Sequence, residues 1–151
     1  MKTFKKILIG IVVLVVIGVA VAFYAMGSAE KLTEYDFGTD KVASINAVIG
    51  ETRKVTGVDS GTSATPSGSA QHKQYTYETA SLVKDLTAYS FHLLNNGWLV
   101  TKGSDVNTGK GEMQLAKESA DKGKILIMSI AFEQNRYAIR ITKGEGTLTR
   151  N

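Results

Sequence analysis

The stretch KILIMSIAFEQNRYAIRITK, residues 124–143, decides the fold, because it has the pattern of two β-strands joined by a short turn. Apolar and other side chains alternate in its second half, and the polar pair Gln134 and Asn135 separates the two halves. The first half is apolar on both faces of a strand. One face carries Leu126, Met128, Ile130 and Phe132, and the other carries Ile125, Ile127 and Ala131. The pattern predicts an antiparallel hairpin.

The residues before this hairpin extend it into a larger sheet with a helix. WLVTKG (98–103) and GEMQLAKES (111–119) are two more predicted strands, so that four strands with short connections form an antiparallel meander. TASLVKDLTAYSFHLLNNG (79–97) is the clearest helix, and Gly97 is placed to end it. Its apolar arc at 100° per residue consists of Leu82, Val83, Leu86, Tyr89, Leu93 and Leu94.

Two more strands and a second helix are predicted nearer the N-terminus. TDKVASINAVIGE (39–51) has helical spacing, whereas TRKVTGV (52–58) and KQYTYE (73–78) are strand candidates. The predicted order is α–β–β–α–β–β–β–β, an α+β fold with two helices on one face of an antiparallel sheet. The side chains expected to face the helices are Met113, Leu115, Tyr137, Ile139 and Ile141.

The domain is predicted to span residues 39–151. The segment 28–38 is short, polar and mixed in charge, and it has the composition of a stalk. Residues 59–71 are rich in Gly, Ser and Thr and contain the only proline of the chain. Their apolar surface is too small to offset the entropy of ordering, so they are predicted to form a mobile loop within the domain.

The N-terminal region, residues 1–27, is predicted to be a cytoplasmic tip and a transmembrane signal anchor. Ile7 to Gly27 is a run of 27 − 7 + 1 = 21 residues without a charge. A helix of this length spans about 30 Å, the thickness of a bilayer core. Lys2, Lys5 and Lys6 precede the run, so the N-terminus is expected in the cytoplasm and the domain outside the cell membrane.

Cleavage by a signal peptidase is the alternative fate of this segment. Ala25 and Gly27 form a small-x-small pair that a peptidase accepts. The apolar run is longer than the roughly 7–15 residues of a secretory signal. The sequence therefore favours an uncleaved single-pass anchor, with secretion after cleavage near Gly27 as the alternative.

Composition argues against several kinds of site. The chain has no cysteine, which excludes disulfides, thiolate metal sites and cysteine nucleophiles. Its net charge of +4 falls to 4 − 3 = +1 without the three N-terminal lysines, which gives no support for a nucleic-acid partner. His72 and His92 have the pattern of surface residues, and Asp85 is expected to face solvent. No catalytic residue, cofactor or metal site is therefore predicted, and the chain is not expected to be an enzyme.

Loop residues 105–112, DVNTGKGE, partly match two ligand-binding motifs. A calcium loop needs an oxygen ligand where Gly109 stands and a glutamate further along than Glu112. A phosphate loop needs a Ser or Thr where Gly111 stands, and it opens a helix. The segment is interpreted as a hairpin connection.

Three residues are candidate partner contacts. Phe91 lies outside the apolar arc of the long helix, where it either tucks against a loop or meets a partner. Ile125 and Ile127 lie on the strand face that a one-sided sheet should leave polar. Residues 59–71, the N-terminal helix or another protein could cover that face.

These features favour a non-catalytic protein-binding domain, such as an accessory subunit of an envelope complex. The alternative is a ligand-binding or hydrolytic domain that acts on cell-wall material. That alternative expects a deep pocket that is lined by Tyr75, Tyr77 or Trp98 and contains a buried carboxylate.

Overall fold

The computed structural model describes residues 24–149 as an α+β fold with three helices and an antiparallel main sheet. Six strands form this sheet in the order β3-β4-β8-β7-β6-β5, and β1 and β2 form a separate hairpin. A 3₁₀ turn, Val106–Thr108, lies between β5 and β6. The elements are α1 (residues 24–30), β1 (Glu34–Phe37), β2 (Asp40–Ala43), α2 (Ile45–Ile49), β3 (Val55–Thr65), β4 (Gly68–Glu78), α3 (Leu82–Asn95), β5 (Leu99–Lys102), β6 (Lys110–Glu118), β7 (Lys124–Glu133) and β8 (Arg136–Glu145).

The predicted hairpin of residues 124–143 is confirmed as β7 and β8. Glu133 pairs with Arg136 across the two-residue turn, and Gln134 takes the left-handed conformation with φ 55°. The alternating side chains therefore separate into two faces, an inner face against the helices and an outer face. All five side chains expected to face the helices are on the inner face: Tyr137, Ile139, Ile141 and Leu115 are buried, and Met113 is partly buried against the same core.

Helix α3 packs on the sheet through a narrower arc than its sequence suggests. Leu86 and Tyr89 are fully buried, whereas Val83 and Leu94 are 40% and 47% exposed. The helix ends as predicted, because Gly97 adopts φ 86° and Trp98 donates its backbone N–H to the Leu93 carbonyl at 3.1 Å.

The predicted helix of residues 39–51 is only partly correct. Its first part forms strand β2, and α2 covers only Ile45–Ile49. Ser44 caps α2 by accepting a hydrogen bond from the Ala47 N–H, and Gly50 ends it in the left-handed conformation. Pairing with β1 buries alternate residues of β2, and this tertiary contact overrides the helical spacing of the sequence.

The predicted stalk at residues 28–38 is wrong. Ala29 of α1 is 4% exposed, and residues 34–37 form β1. Tyr35 and Phe37 alternate with acidic residues, so that one face of β1 carries two aromatic rings into the core. The segment is therefore part of the folded domain.

The predicted mobile loop at residues 59–71 is also wrong. It consists of the ends of β3 and β4, which are joined by a turn at residues 66–67. Gln71 on β4 pairs with Lys143 on β8, so the hairpin continues the main sheet. The backbone ladder and the β-branched threonines compensate here for the small apolar surface.

The predicted membrane span, Ile7 to Gly27, lies mostly outside the described residues. Among residues 24–149, no helix is long and apolar enough to cross a bilayer.

Candidate functional site

Asp85 is the most buried charged residue in the described part of the chain, with 0% of its surface exposed, so the expectation that it faces solvent is wrong. Arg53 donates from Nε and Nη2 to its two carboxylate oxygens at 2.7 and 2.8 Å. Two hydroxyl groups also donate to Oδ2 of Asp85, Thr79 Oγ1 at 2.6 Å and the Tyr137 hydroxyl at 3.3 Å. The helical wheel contained a signal of this burial, because Asp85 lies only 60° from Leu82 of the apolar arc by 100° stepping.

The contacts of Asp85 fix its charge. Burial alone would raise the pKa of Asp85, but hydrogen bonds from Arg53 and Thr79 outweigh it and the pKa is lowered. Burial, together with the neighbouring carboxylate, raises the pKa of Tyr137. Both oxygens of Asp85 are bonded and none of its surface is exposed, so this carboxylate stabilises the fold through contacts within the protein.

A second buried charge, Lys143, is held in the same way. Its Nζ lies 2.7 Å from Asp40 and 2.7 Å from Asp121, and it donates to the Phe37 carbonyl at 3.2 Å. Burial would lower the pKa of Lys143, but the two carboxylates raise it. These contacts fasten the β1–β2 hairpin to β8.

The aromatic residues expected to line a ligand pocket lie in the core. Tyr75, Tyr77 and Trp98 are 7%, 0% and 3% exposed. The Tyr77 hydroxyl lies 2.6 Å from that of Tyr35, whose ring stacks on Tyr75 at 4.8 Å between centroids. A pocket of the expected kind, in which these three residues surround a buried carboxylate, is therefore not formed.

The three predicted contact residues do not form one surface. Phe91 is 68% exposed on α3, beside the connection that follows β5, and its contact with a partner stays a prediction. Ile125 and Ile127 are half-buried on the outer face of the sheet, opposite the face that α3 covers. Residues 59–71 do not cover this outer face, because β3 and β4 extend the sheet sideways. The described end of the N-terminal helix, α1, joins the inner core, and the rest of that helix lies outside the described residues.

Phe91 instead lines an apolar groove of about 380 Å³ between α3 and the connection that follows β5. Asp105 holds this connection by accepting the Asn107 N–H at 2.9 Å, which places Val106 beside α3. Ser90 contacts the sulfur of Met113 at 3.9 Å on the groove floor. We call this surface the Phe91 groove; it is lined chiefly by Ser90, Phe91, Leu94, Val106 and Met113.

A second concavity, which we call the outer-face hollow, has a volume of about 580 Å³ and lies on the outer face. Its floor consists of small residues, among them Ala131 and Ala138. Charged residues surround the floor, including two ion pairs of 3.2 Å each, Lys102 with Glu112 and Lys110 with Glu133, and a separate arginine, Arg136.

The two histidines and the connection at residues 105–112 do not bring together a further group of catalytic or metal-binding side chains. His72 lies 3.2 Å from Asp59, and His92 lies 3.4 Å from the side-chain amide of Asn96. Within residues 24–149, no three His, Asp or Glu side chains are grouped to hold a metal ion. Comparison of the chain with protein families, curated proteins and solved structures finds no match.

Proposed function

We propose that the chain is a membrane-anchored, extracytoplasmic and non-catalytic protein-binding domain whose partner docks in the Phe91 groove. The observation that carries this proposal is the 68% exposure of Phe91 beside Leu94, which is 47% exposed, at an apolar concavity. A large apolar side chain in this setting loses contact with water when a partner covers it.

The groove has the composition of a small docking site. Burial of a phenylalanine side chain contributes about 1.5–3 kcal/mol, and aromatic residues are frequent anchors at interfaces. Polar side chains, among them Thr87, Ser104 and Asp105, surround the apolar centre. An apolar centre with a polar rim is the usual anatomy of a protein–protein contact.

The buried polar groups favour binding over catalysis. A catalytic acid or base needs to reach a substrate. The carboxylate of Asp85 and the ammonium of Lys143 are instead saturated by neighbouring protein groups.

Membrane anchoring rests on the apolar run Ile7 to Gly27 and on the lysines before it. The described end of this run belongs to α1, which packs directly on the domain: Met26 contacts the core, and Glu30 accepts the Val55 N–H at 2.9 Å. An anchor with this connection has no flexible spacer and would hold the domain close to the membrane surface. Secretion after cleavage near Gly27 is the alternative.

A matched pair of variants on α3 tests the docking surface. Phe91→Asp places a charge in the groove. The control, Val83→Asp, places a charge at an apolar residue of α3 that is exposed to a similar extent as Leu94 but lies outside the groove. Pull-down from the producing cells should lose its specific partner with Phe91→Asp and keep it with Val83→Asp, while circular dichroism of both matches the parent. Retention by a folded Phe91→Asp variant, or unfolding of that variant, would refute the docking site.

The anchor is tested on the native protein. Membrane fractionation should recover the chain in the membrane, protease added to intact cells should digest the domain, and mass spectrometry should find the original N-terminus. An N-terminus at Ser28 would contradict the anchor and indicate release.

A second candidate function is the binding of acidic cell-wall fragments in the outer-face hollow. Arg136 favours it, because its two neighbours across the strand pairings, Glu78 and Glu133, are engaged by Lys54 at 3.6 Å and Lys110 at 3.2 Å. Calorimetric titration with carboxylate-bearing wall fragments, repeated with Arg136→Ala, tests this function separately. Saturable binding that this variant loses supports the candidate, and its absence removes it.

A further inference from the structure

The two edges of the six-stranded sheet differ in how they are protected. Edge strand β5 has four residues, an irregularity between Val100 and Lys102, and a lysine. Short length, bulges and lysines are the usual means of preventing a sheet edge from pairing. Edge strand β3 has eleven residues, and its irregularity lies at its start, between Val55 and Gly57. From Gly57 to Thr65 it pairs with β4 through nine consecutive positions without a bulge.

The sequence of β3 also lacks protective residues. It has no lysine, arginine or proline, and Asp59 is its only charge. The Asp59 carboxylate is engaged within the sheet, at 3.2 Å from His72 on β4 and 3.9 Å from Arg140 on β8. Among residues 24–149, no strand pairs with the outer edge of β3, so its backbone groups along Gly57–Thr65 are open to pairing.

We propose that β3 is the pairing edge for a second copy of this chain, in antiparallel register centred on Gly61. Alternate residues of an edge strand direct both backbone groups outward, so nine residues supply roughly eight inter-copy hydrogen bonds in this register. The result is one continuous sheet across two copies.

The side chains in this register fit each other. Ser60 lies opposite Thr62 of the other copy, and the small residue Ala64 lies opposite Val58. Asp59 lies opposite Ser63, which can donate a hydrogen bond to the carboxylate, so that like charges are not juxtaposed. β3 is therefore complementary to a second β3 along Gly57–Thr65, as a two-fold symmetric contact requires. This self-complementarity favours a second copy of the chain over an unrelated strand.

The pairing is independent of the Phe91 groove. β3 and β5 are opposite edges of the sheet, and the groove lies beside the connection that follows β5. Two copies joined through β3 would therefore keep both grooves open, and failure of either proposal leaves the other intact.

Cysteine cross-linking of the full chain in detergent tests the register. The chain has no native cysteine, so introduced thiols are unambiguous. Ser60→Cys mixed with Thr62→Cys should form a covalent dimer faster than either variant alone, since opposite Cβ atoms are about 5 Å apart and diagonal ones about 7–8 Å. Val100→Cys on β5 is the control, and it should cross-link least. Equal rates for all three samples would overturn the proposal.

Sedimentation of the full chain in density-matched detergent tests the self-association. The parent should dimerise with rising concentration, Ser60→Lys should weaken the dimer about tenfold, and Val100→Lys should leave it unchanged. A monomeric parent, or a dimer that tolerates Ser60→Lys, would overturn the proposal.

Discussion

Arg53 and Asp85 are 32 positions apart in the chain, yet they form a two-pronged ion pair with contacts of 2.7 and 2.8 Å. Arg53 lies just before β3, and Asp85 lies in the first turn of α3. The pair therefore joins the start of the main sheet to the helix that covers it, and Thr79 and Tyr137 complete the hydrogen bonding.

Replacement of Asp85 by Asn should lower the free energy of unfolding by about 2–4 kcal/mol, because Arg53 would keep its charge without its buried partner. Denaturant unfolding measures this change. Glu51→Gln removes the other carboxylate bound to Arg53, at 2.8 Å on the exposed side, and should cost much less. Equal losses in the two variants would show that burial of Asp85 does not determine the effect.

Acid should destabilise the domain through Asp85 and Asp40. Burial acts to raise both pKa values, but hydrogen bonds from Arg53 to Asp85 and from Lys143 to Asp40 outweigh it, and both are lowered. A carboxyl whose pKa is lower in the folded than in the unfolded protein stabilises the folded state. This contribution is complete above the unfolded pKa, about 4, and is lost as the pH falls through the folded pKa. Unfolding measured from neutral pH downward should weaken below about pH 4, and Asp85→Asn should weaken less steeply. An identical slope in that variant would contradict the assignment.

Alkali should destabilise the domain through its buried tyrosines. Burial raises the pKa of Tyr35 and Tyr89 well above the usual value and raises that of Tyr77 to about 12. A tyrosine whose pKa is higher in the folded than in the unfolded protein stabilises the folded state. This contribution is complete below the unfolded pKa, about 10, and is lost as the pH rises through the folded pKa. Phenolate absorbance of these residues should therefore appear together with loss of circular dichroism. Their ionisation near pH 10 in a protein that stays folded would contradict the burial.

Truncation of Leu93 and of Phe91, two positions apart on α3, should have very different effects on the free energy of unfolding. Leu93→Ala should cost about 2–5 kcal/mol, because Leu93 is 1% exposed in the core. Phe91→Ala should change the free energy of unfolding by less than about 0.5 kcal/mol, because its side chain is largely in water. Thermal and denaturant unfolding of the two variants make the comparison, and a large loss with Phe91→Ala would mean that Phe91 belongs to the core.

Local patterns were sufficient to predict the β5–β8 meander and α3. The alternation of residues 124–143 and the glycine after α3 act over short distances, and both predictions are confirmed. The β1–β2 hairpin was missed because its residues also match a stalk and a helix, and only pairing and packing in the fold decide between these states. Residues 59–71 were misjudged for the same reason, since β4 is ordered by its ladder with the distant strand β8.

The candidate site was only partly predictable. By 100° stepping, Phe91 lies about 140° from Leu86 and about 160° from Leu93, on nearly the opposite side of the helix. Leu86 and Leu93 are buried in the core, so an apolar arc centred on them places Phe91 in solvent. The groove itself could not be inferred, because Val106 reaches α3 through a connection whose path depends on the Asp105 turn. Asp85 and Arg53 gave no local sign of pairing across their long separation.

Site-specific photo-cross-linking in the producing cells tests the central claim most directly. A photoreactive phenylalanine analogue replaces Phe91 in one variant and Val83 in its control, within the full chain. We expect one discrete adduct with a membrane or envelope protein from position 91, none from position 83, and loss of the adduct when Leu94→Asp is added. No adduct from position 91, or the same adduct from both positions, would contradict docking in the Phe91 groove.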